Sequence, residues 1–498
     1  MSLKSSFAAT LASRVYLTLV NLVMLPVYMR HLGLEAFGLI ALFMVLQVWF
    51  QLLDMGLTPT MARAAARYRA GALSASDFRL LLRAIEGIFL VLAAVAGAAV
   101  FLGAEHIAAH WLKIERLPPQ EVVRSLQSMA LCIALRLLSE LYRGVLSGFE
   151  RFIWLAGLNT AFGTLRLVLV VPYIAWVDSS PSGFFGFQLA AMALECVVLI
   201  ALAYRLVPGR AAGHSPWGLQ PLRTVFGFSV VMSLASVVWI TLSQLDKLLL
   251  SGLLSLSDYG AFSIAAAAAS GVLLASGSLT EVLLPQLTRL HAQGARLELL
   301  ALYRRSTQWA CMSACSVASV LAFHADRLLW VWTGDAALAA RAAPVLCLYA
   351  LGNAALVVGA FPYYLQFAAG NLRLHLVGTT LMVAILLPSV VWATDRFGSA
   401  GAAGVWLGVN VLYLVLWTPV AHARFMPRMH WRWLAEDVLP AAGLAAAASI
   451  ACRQLPWPPD RLGAGLMALA VSVAVLLTSA AGSSSARAML RSRSRQLA

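Results

Sequence analysis

The chain has 498 residues, 61% of them hydrophobic and only 11% charged, with a formal net charge of +15. A soluble domain carries about a quarter charged residues, so this composition leaves too little charge to cover a water-facing surface. Apolar runs of about 20 residues, the length of one membrane crossing, recur almost end to end and exclude a large soluble domain. Nucleic-acid binding is not expected, because most of the 36 Lys and Arg fall in alternate short loops, where they act as topology signals.

Fourteen spans are predicted. The first six cover 7–28, 37–57, 84–103, 122–147, 153–177 and 184–204. Arg14 interrupts the first run and no small-residue cleavage site follows, so this segment is expected to stay as a span. A polar connector over 205–223 contains Pro208, Gly209, Gly213, Pro216 and Pro221, the composition of a linker. Six more spans cover 225–250, 259–285, 307–325, 342–368, 372–393 and 401–421. Two weaker ones, 437–452 and 462–481, close the chain. The expected organisation is a first bundle over 1–204, a cytoplasmic linker over 205–223 and a second bundle over 224–421. Two extra spans and a basic tail follow over 422–498. Arg63, Arg67, Arg69, Arg79 and Arg83 mark one inner loop, Arg205, Arg210 and Arg223 the next, and Arg289, Arg296, Arg304 and Arg305 a third. This bias places both termini in the cytoplasm. The amphipathic inner stretches 58–83 and 286–306 are expected to lie along the inner leaflet.

A short pattern occurs twice. Leu32-Gly33-Leu34-Glu35-Ala36-Phe37-Gly38 joins the first two spans, and Leu254-Ser255-Leu256-Ser257-Asp258-Tyr259-Gly260 returns at an offset of 222 residues, with the acid one place late. The basic stretch Ala66–Gly71 has its counterpart in Thr288–Gly294. An echo at fixed offset suggests duplicated halves, a common plan for transporters with a substrate site at the repeat interface. Two hairpins sharing a cheap acidic-aromatic-Gly turn would give the same text.

Ionisable residues inside spans carry most of the functional signal, because each costs at least ~2.5–3.5 kcal/mol at mid-membrane on insertion scales. Arg136, Glu140 and Arg143 follow i, i+4, i+7 and share one face of the fourth span. At 1.5 Å per residue Arg136 lies about 21 Å from the outer end, near the middle. Arg166 is near the middle of the fifth span, and Arg14 is shallower in the first. Arginine's planar fork suits phosphate, so Arg136, Arg166, Arg14 and Arg143 are candidate anion-binding residues. Internal pairing with Glu140, or snorkelling of Arg143 and Arg14, fits the same residues. Asp54, Glu140 and Glu195 are candidate proton-coupling carboxylates, since a carboxyl in a dry cavity takes up a proton more readily. Asp246 with Lys247 reads as an ion pair. Glu281 ends the eighth span. Asn353, Tyr363 and Tyr364 are candidates for contacting sugar hydroxyls, or for helix packing.

The six cysteines, Cys132, Cys196, Cys311, Cys315, Cys347 and Cys452, lie in or at the ends of apolar runs and read as small buried hydrophobes. Neither a disulfide framework nor a metal-ligand set is expected, and no cofactor. Trp111, Trp176, Trp330, Trp332, Trp392, Trp431, Trp433 and Trp457 lie near span ends, as an interfacial belt or, on the outer side, as stacking platforms for sugar rings.

The stretches Leu25-Pro26-Val27-Tyr28 through Gly38, Asp54-Met55-Gly56-Leu57, and Leu245-Asp246-Lys247-Leu248-Leu249-Leu250-Ser251-Gly252 leading to Gly260 resemble the bacterial polysaccharide transporters. That family includes the Wzx flippases and belongs to the multidrug/oligosaccharidyl-lipid/polysaccharide (MOP) superfamily. The resemblance implies an all-α polytopic protein of the inner membrane. Two pseudo-symmetric six-helix bundles surround a central cavity, with two further C-terminal helices. It implies an undecaprenyl-pyrophosphate-linked oligosaccharide as cargo, moved from inner to outer leaflet, with a proton or sodium gradient as the driving force. Cationic residues of the first bundle would hold the pyrophosphate, and Arg14, Arg136 and Arg166 fit that role. Implied partners are the bilayer and the polymerase and chain-length proteins of the same pathway. A drug exporter of the superfamily should need an anionic cavity. A peptidoglycan-precursor flippase differs only in the head group it admits. A membrane polymerase or glycosyltransferase is disfavoured, because the loops are short and lack an Asp-rich metal motif.

Overall fold

The computed structural model describes residues 3–207, 237 and 240–488, and only the backbone of 3, 4 and 278–282. Most of the 205–223 connector, the first part of the 225–250 span, the Glu281 side chain and the tail from 489 onward lie outside the described residues. Among the described residues every regular element is helical, apart from a single bridge between Lys113 and Ser255. The chain divides into two compact units, Met1–Gly260 and Ala261–Ala498.

The first unit contains α1 (Leu3–Leu32), α2 (Leu34–Phe50), α3 (Leu57–Arg69), α4 (Ala75–Leu102), α5 (Pro119–Gly148), α6 (Phe152–Leu167), α7 (Val170–Trp176) and α8 (Pro181–Leu206), with a further helical stretch over 240–253. Starts are marked by their sequence. Ser74 caps α4 by accepting from Asp77 N, Ser180 caps α8 by accepting from Gly183 N, and α5 begins on a proline. Helices α3, α4, α5 and α8 share one core that includes Met61, Phe78, Ile85, Phe89, Leu141, Val145 and Leu199. On α1, Phe7, Leu11, Val15, Leu19 and Val23 stand exposed at spacings of four. In a helix this spacing makes one stripe, which is how a lipid-facing surface reads.

The repeated turn is a piece of framework. The two copies pack against each other through their glycines: a Cβ on Gly38 would come within 2.3 Å of Leu256 O, and one on Gly260 within 2.4 Å of Leu34 O. Glu35, buried, accepts backbone N–H groups from Glu115, Arg116 and Leu117 at 2.7–3.2 Å. Lys113 Nζ donates to Leu253 O at 2.7 Å, and Trp111 Nε1 to Ser251 Oγ at 3.0 Å. At the start of the next helix Ser255 Oγ accepts from Asp258 N and donates to Asp258 Oδ2, both at 3.1 Å. The first acid therefore satisfies backbone donors, whereas the second holds the capping hydroxyl of Ser255.

From the unit boundary the chain continues through α9 (Leu256–Ala269), α10 (Gly271–Ala292), α11 (Arg296–Phe323), α12 (Ala325–Thr333), α13 (Ala336–Gly359), α14 (Phe361–Ala368), α15 (Arg373–Leu412), α16 (Thr418–Phe425), α17 (His430–Cys452) and α18 (Arg461–Gly482). Over the stretch 286–306 expected to lie along the inner leaflet, the end of α10 and the start of α11 are helical and are joined by a turn in which Gly294 has φ 68°. Trp433 is also not interfacial; it is fully buried and donates to Thr307 Oγ1 at 3.0 Å.

Among the described residues eleven helices are long and apolar enough to cross a membrane, or twelve if α11 and α12, bent by 83°, form one broken span. The continuous segment Arg373–Phe425 is 53 residues, about 80 Å at helical rise, far beyond a core of about 30 Å. Gly398, with φ 60° and ψ −148°, breaks it where the predicted spans 372–393 and 401–421 meet. The protein is an all-α polytopic membrane protein.

Candidate functional site

Five charged side chains of the first unit form a chain of ion pairs across α5, α6 and α8. Arg143 donates through Nη1 to Asn159 Oδ1 and through Nη2 to Glu195 Oε1. Arg166 Nη2 meets the other oxygen of Glu195 at 3.4 Å. Glu195, with its side chain only 4% exposed, thus bridges two guanidiniums. Arg136 Nη2 lies 3.6 Å from Glu140 Oε1, and Arg143 Nε 4.0 Å from the same atom. Arg136 and Arg143 are within electrostatic reach of Arg166.

Local structure places each member. Arg136, Glu140 and Arg143 stand on one face of α5, as their spacing requires. Arg166 occupies the last turn of α6, whose negative dipole end favours a cation. Helix α6 breaks at 168–169 before α7 resumes, and a break inside a span leaves orphan carbonyls. Gln188 Nε2 donates to Arg166 O at 2.9 Å and the Tyr28 hydroxyl to Leu167 O at 2.6 Å, satisfying both. The break is therefore supported, and the backbone of Arg166 just before it is held.

One end of the ionic chain opens on a small cleft lined by Gln47, Phe50, Gln51, Asp54, Ile133, Arg136, Leu137 and Glu140. It holds about 20 Å³, room for roughly one water. Asp54 is half-buried there and accepts from Thr58 N at 3.0 Å and Thr58 Oγ1 at 2.5 Å, capping α3. Arg136 Nε is buried in the protein with no hydrogen-bond acceptor. Three arginines against Glu140 and Glu195 leave one net positive charge, with the Asp54 carboxyl across the cleft. Pairing is loosest at Arg136, where one donor lacks an acceptor.

The structure brings together Arg136, Glu140, Arg143, Arg166 and Glu195, with Asp54 across the cleft. Arg14 lies on the exposed face of α1, one position from Ser13 and to one side of the apolar stripe. Ser13 Oγ donates to Ala156 O of α6 and accepts from Thr160 Oγ1. Asp246 and Lys247 are a separate pair at 3.4 Å, with Lys247 Nζ also donating to Ser243 O. Asn353, Tyr363 and Tyr364 belong to the second unit. Asn353 is buried, its amide donating to Ala269 O at 2.9 Å and accepting from Trp406 Nε1 at 3.0 Å. Tyr364 is buried, while Tyr363 is half-buried beside the His375 ring at 4.6 Å. Asn159, the acceptor that orients Arg143, was not foreseen. Its signal was its position seven residues before Arg166, on the same helical face.

Among the described residues no group of three or more His, Cys, Asp or Glu is placed to hold a metal ion.

A family model described as "Polysaccharide biosynthesis protein" matches residues 3–291. Among solved structures, a lipid II flippase, MurJ, in an inward closed conformation superposes with a TM-score of 0.74 at 11% identity, covering 94% of this chain and 97% of that one. An inward-facing multidrug resistance MATE family transporter of the MOP superfamily gives 0.64 at 14% identity, with 82% and 94% covered. A MOP superfamily transporter from Pyrococcus furiosus gives 0.51 at 12% identity, with 85% and 94% covered. At such identities the likeness establishes a shared fold. No curated protein sequence matches the chain.

Proposed function

Because this chain belongs to the polysaccharide biosynthesis protein family, we propose that it is a flippase for an undecaprenyl-pyrophosphate-linked oligosaccharide repeat unit of O-antigen, exopolysaccharide or capsule. It would carry the unit by alternating access from the inner to the outer leaflet of the inner membrane, with both termini cytoplasmic. The observation that carries the reading is the ionic chain of α5, α6 and α8, set inside apolar spans where charge is costly. A sugar head group cannot cross hydrocarbon unaided, since each unpaired polar group costs several kcal/mol. A protein path supplies those bonds while the lipid tail stays in the bilayer.

In this reading the diphosphate takes the place of a carboxylate at the arginines. Arg136 is the entry point: it has an unpaired Nε and only a distant contact to Glu140. Arg166 and Arg143 lie deeper, shared by Glu195, and Arg14 would assist from α1. The cleft of about 20 Å³ is too small for a diphosphate, so binding requires α2 and α5 to separate there. Glu140, displaced from Arg136, would lose its cationic partner in a dry site and take up a proton, and Asp54 across the cleft is the second candidate carrier. That exchange couples cargo to a proton gradient without a cofactor, and no bond in the cargo is broken.

The test is export. Arg136→Ala and Arg166→Ala should each abolish polymer export while protein levels hold, and normal export in both would refute the diphosphate role. A peptidoglycan-precursor flippase is the second reading. It shares the fold seen in the lipid II flippase and differs in the head group admitted, so transport of purified lipid-linked cargoes in vesicles separates the two.

A further inference from the structure

A second cavity lies in the other unit, where α11 ends and the α17–α18 turn passes over it. It holds about 280 Å³ and is lined by Phe323, His324, Asp326, Arg327, Arg453, Leu455, Pro456 and Trp457. We propose that this cavity binds a phosphate-bearing anion of head-group size at the membrane surface.

The lining is built for that chemistry. Arg327 and Arg453 face one carboxylate, Asp326, leaving one net positive charge. Asp326 reaches Arg327 only at 3.9 Å, and among the described residues Arg453 has no carboxylate partner. Both guanidiniums are therefore available for an oxyanion, which arginine holds through paired N–H donors. His324 is 2% exposed and fixed by Nε2 donating to Ser449 O at 3.1 Å. Its ring supports the Trp457 ring at 5.3 Å, so the indole forms one wall. The 83° bend between α11 and α12 brings the start of α12, which the His324 side chain does not cap, to the cavity, where Asp326 and Arg327 line it.

One feature opposes an anion: α17 ends at the same place, and helix C-termini are negative. Here its last carbonyls are occupied. Ile450 O, Ala451 O and Cys452 O accept from the N–H groups of Arg453, Gln454 and Leu455, and Ser449 O accepts from His324. The balance is left to the arginines.

Size and position narrow the ligand. A volume of about 280 Å³ is just under the ~300–1,000 Å³ of ordinary ligand pockets, which suits a head group and not an oligosaccharide. Beside the cavity α12 turns away from the span direction and carries Trp330 and Trp332, residues of the membrane–water boundary. The shared chemistry is a phosphate ester; its source is an anionic phospholipid or a free phosphate compound.

The experiment uses the purified full chain in micelles. Retention of phosphatidylglycerol and of zwitterionic phosphatidylcholine is followed by native mass spectrometry, and melting is followed with inorganic phosphate and glycerol 3-phosphate. Wild type should keep one phosphatidylglycerol under conditions that strip phosphatidylcholine. Arg327→Gln/Arg453→Gln should weaken it about 10–100-fold, as expected for charged hydrogen bonds, with unchanged ligand-free melting. Stabilisation by the soluble phosphates, lost in the variant, assigns a free anion, whereas retention of phosphatidylglycerol alone assigns the lipid. If the double variant does not fold, Arg453→Gln alone provides the comparison. Equal phosphatidylglycerol retention in variant and wild type, or no response to any of the anions, overturns the proposal.

Discussion

Glu195 offers the sharpest test of the ionic chain. It is 4% exposed and bridges Arg143 and Arg166, each 18% exposed. At an effective dielectric of about 20, one pair at ~4 Å is worth about 4 kcal/mol before desolvation. Removing the shared partner strands two guanidiniums in a dry site, and breaking a buried pair costs about 3–5 kcal/mol. Glu195→Ala should therefore lower stability by that amount. Glu195→Gln should lose less, because its amide oxygen still accepts from one arginine. The assay is denaturant-driven unfolding of the purified protein in mixed micelles, with and without pyrophosphate. Pyrophosphate should restore more stability to Glu195→Ala than to wild type, since it supplies the missing anion. If Glu195→Ala unfolds within about 1 kcal/mol of wild type, the bridge is not holding the helices and the reasoning fails.

Other outcomes follow from the same geometry. Gly38→Ala forces a Cβ to within 2.3 Å of Leu256 O, and overpacking of this kind costs about 1–3 kcal/mol; the folded yield in membranes should fall, and a normal yield would refute the close approach. Asn353→Ala removes both hydrogen bonds of a buried amide, to Ala269 O and from Trp406 Nε1, for about 1–3 kcal/mol of stability. If its hydrogen bonds are purely structural its cargo range should be unchanged, and a changed range would support Asn353 as a sugar contact. Arg304→Ala unpairs buried Asp437, now held at 2.6 Å, and should destabilise the second unit by about 3–5 kcal/mol, read by unfolding. In loaded vesicles, collapsing the proton gradient should slow transport; an unchanged rate removes proton coupling.

Much of the ionic chain was legible because helical spacing is rigid. Arg136, Glu140 and Arg143 had to share a face once their span was recognised. The partnership of Glu195 with two arginines was not legible, because it joins residues 29 and 52 positions apart through helix packing. Asn353 illustrates the converse. Sequence offered a polar side chain in a span, and only its neighbours Ala269 and Trp406 show how its amide is engaged.

The sequence by itself determined that lipid is the solvent and that the chain is helical and crosses many times. Those follow from hydropathy and from the need of every backbone group in lipid to be satisfied within its own helix. It also announced the repeated turn. Tertiary structure alone decided what that turn does: Glu35 collects three backbone donors, and Gly38 and Gly260 let two helix starts touch. It also decided which buried charges meet, and it shaped the cavity around Arg327, Arg453 and Trp457. The physical reason is range. Burial and periodicity are properties of a segment, whereas an ion pair or a cavity is a property of two or more segments brought together.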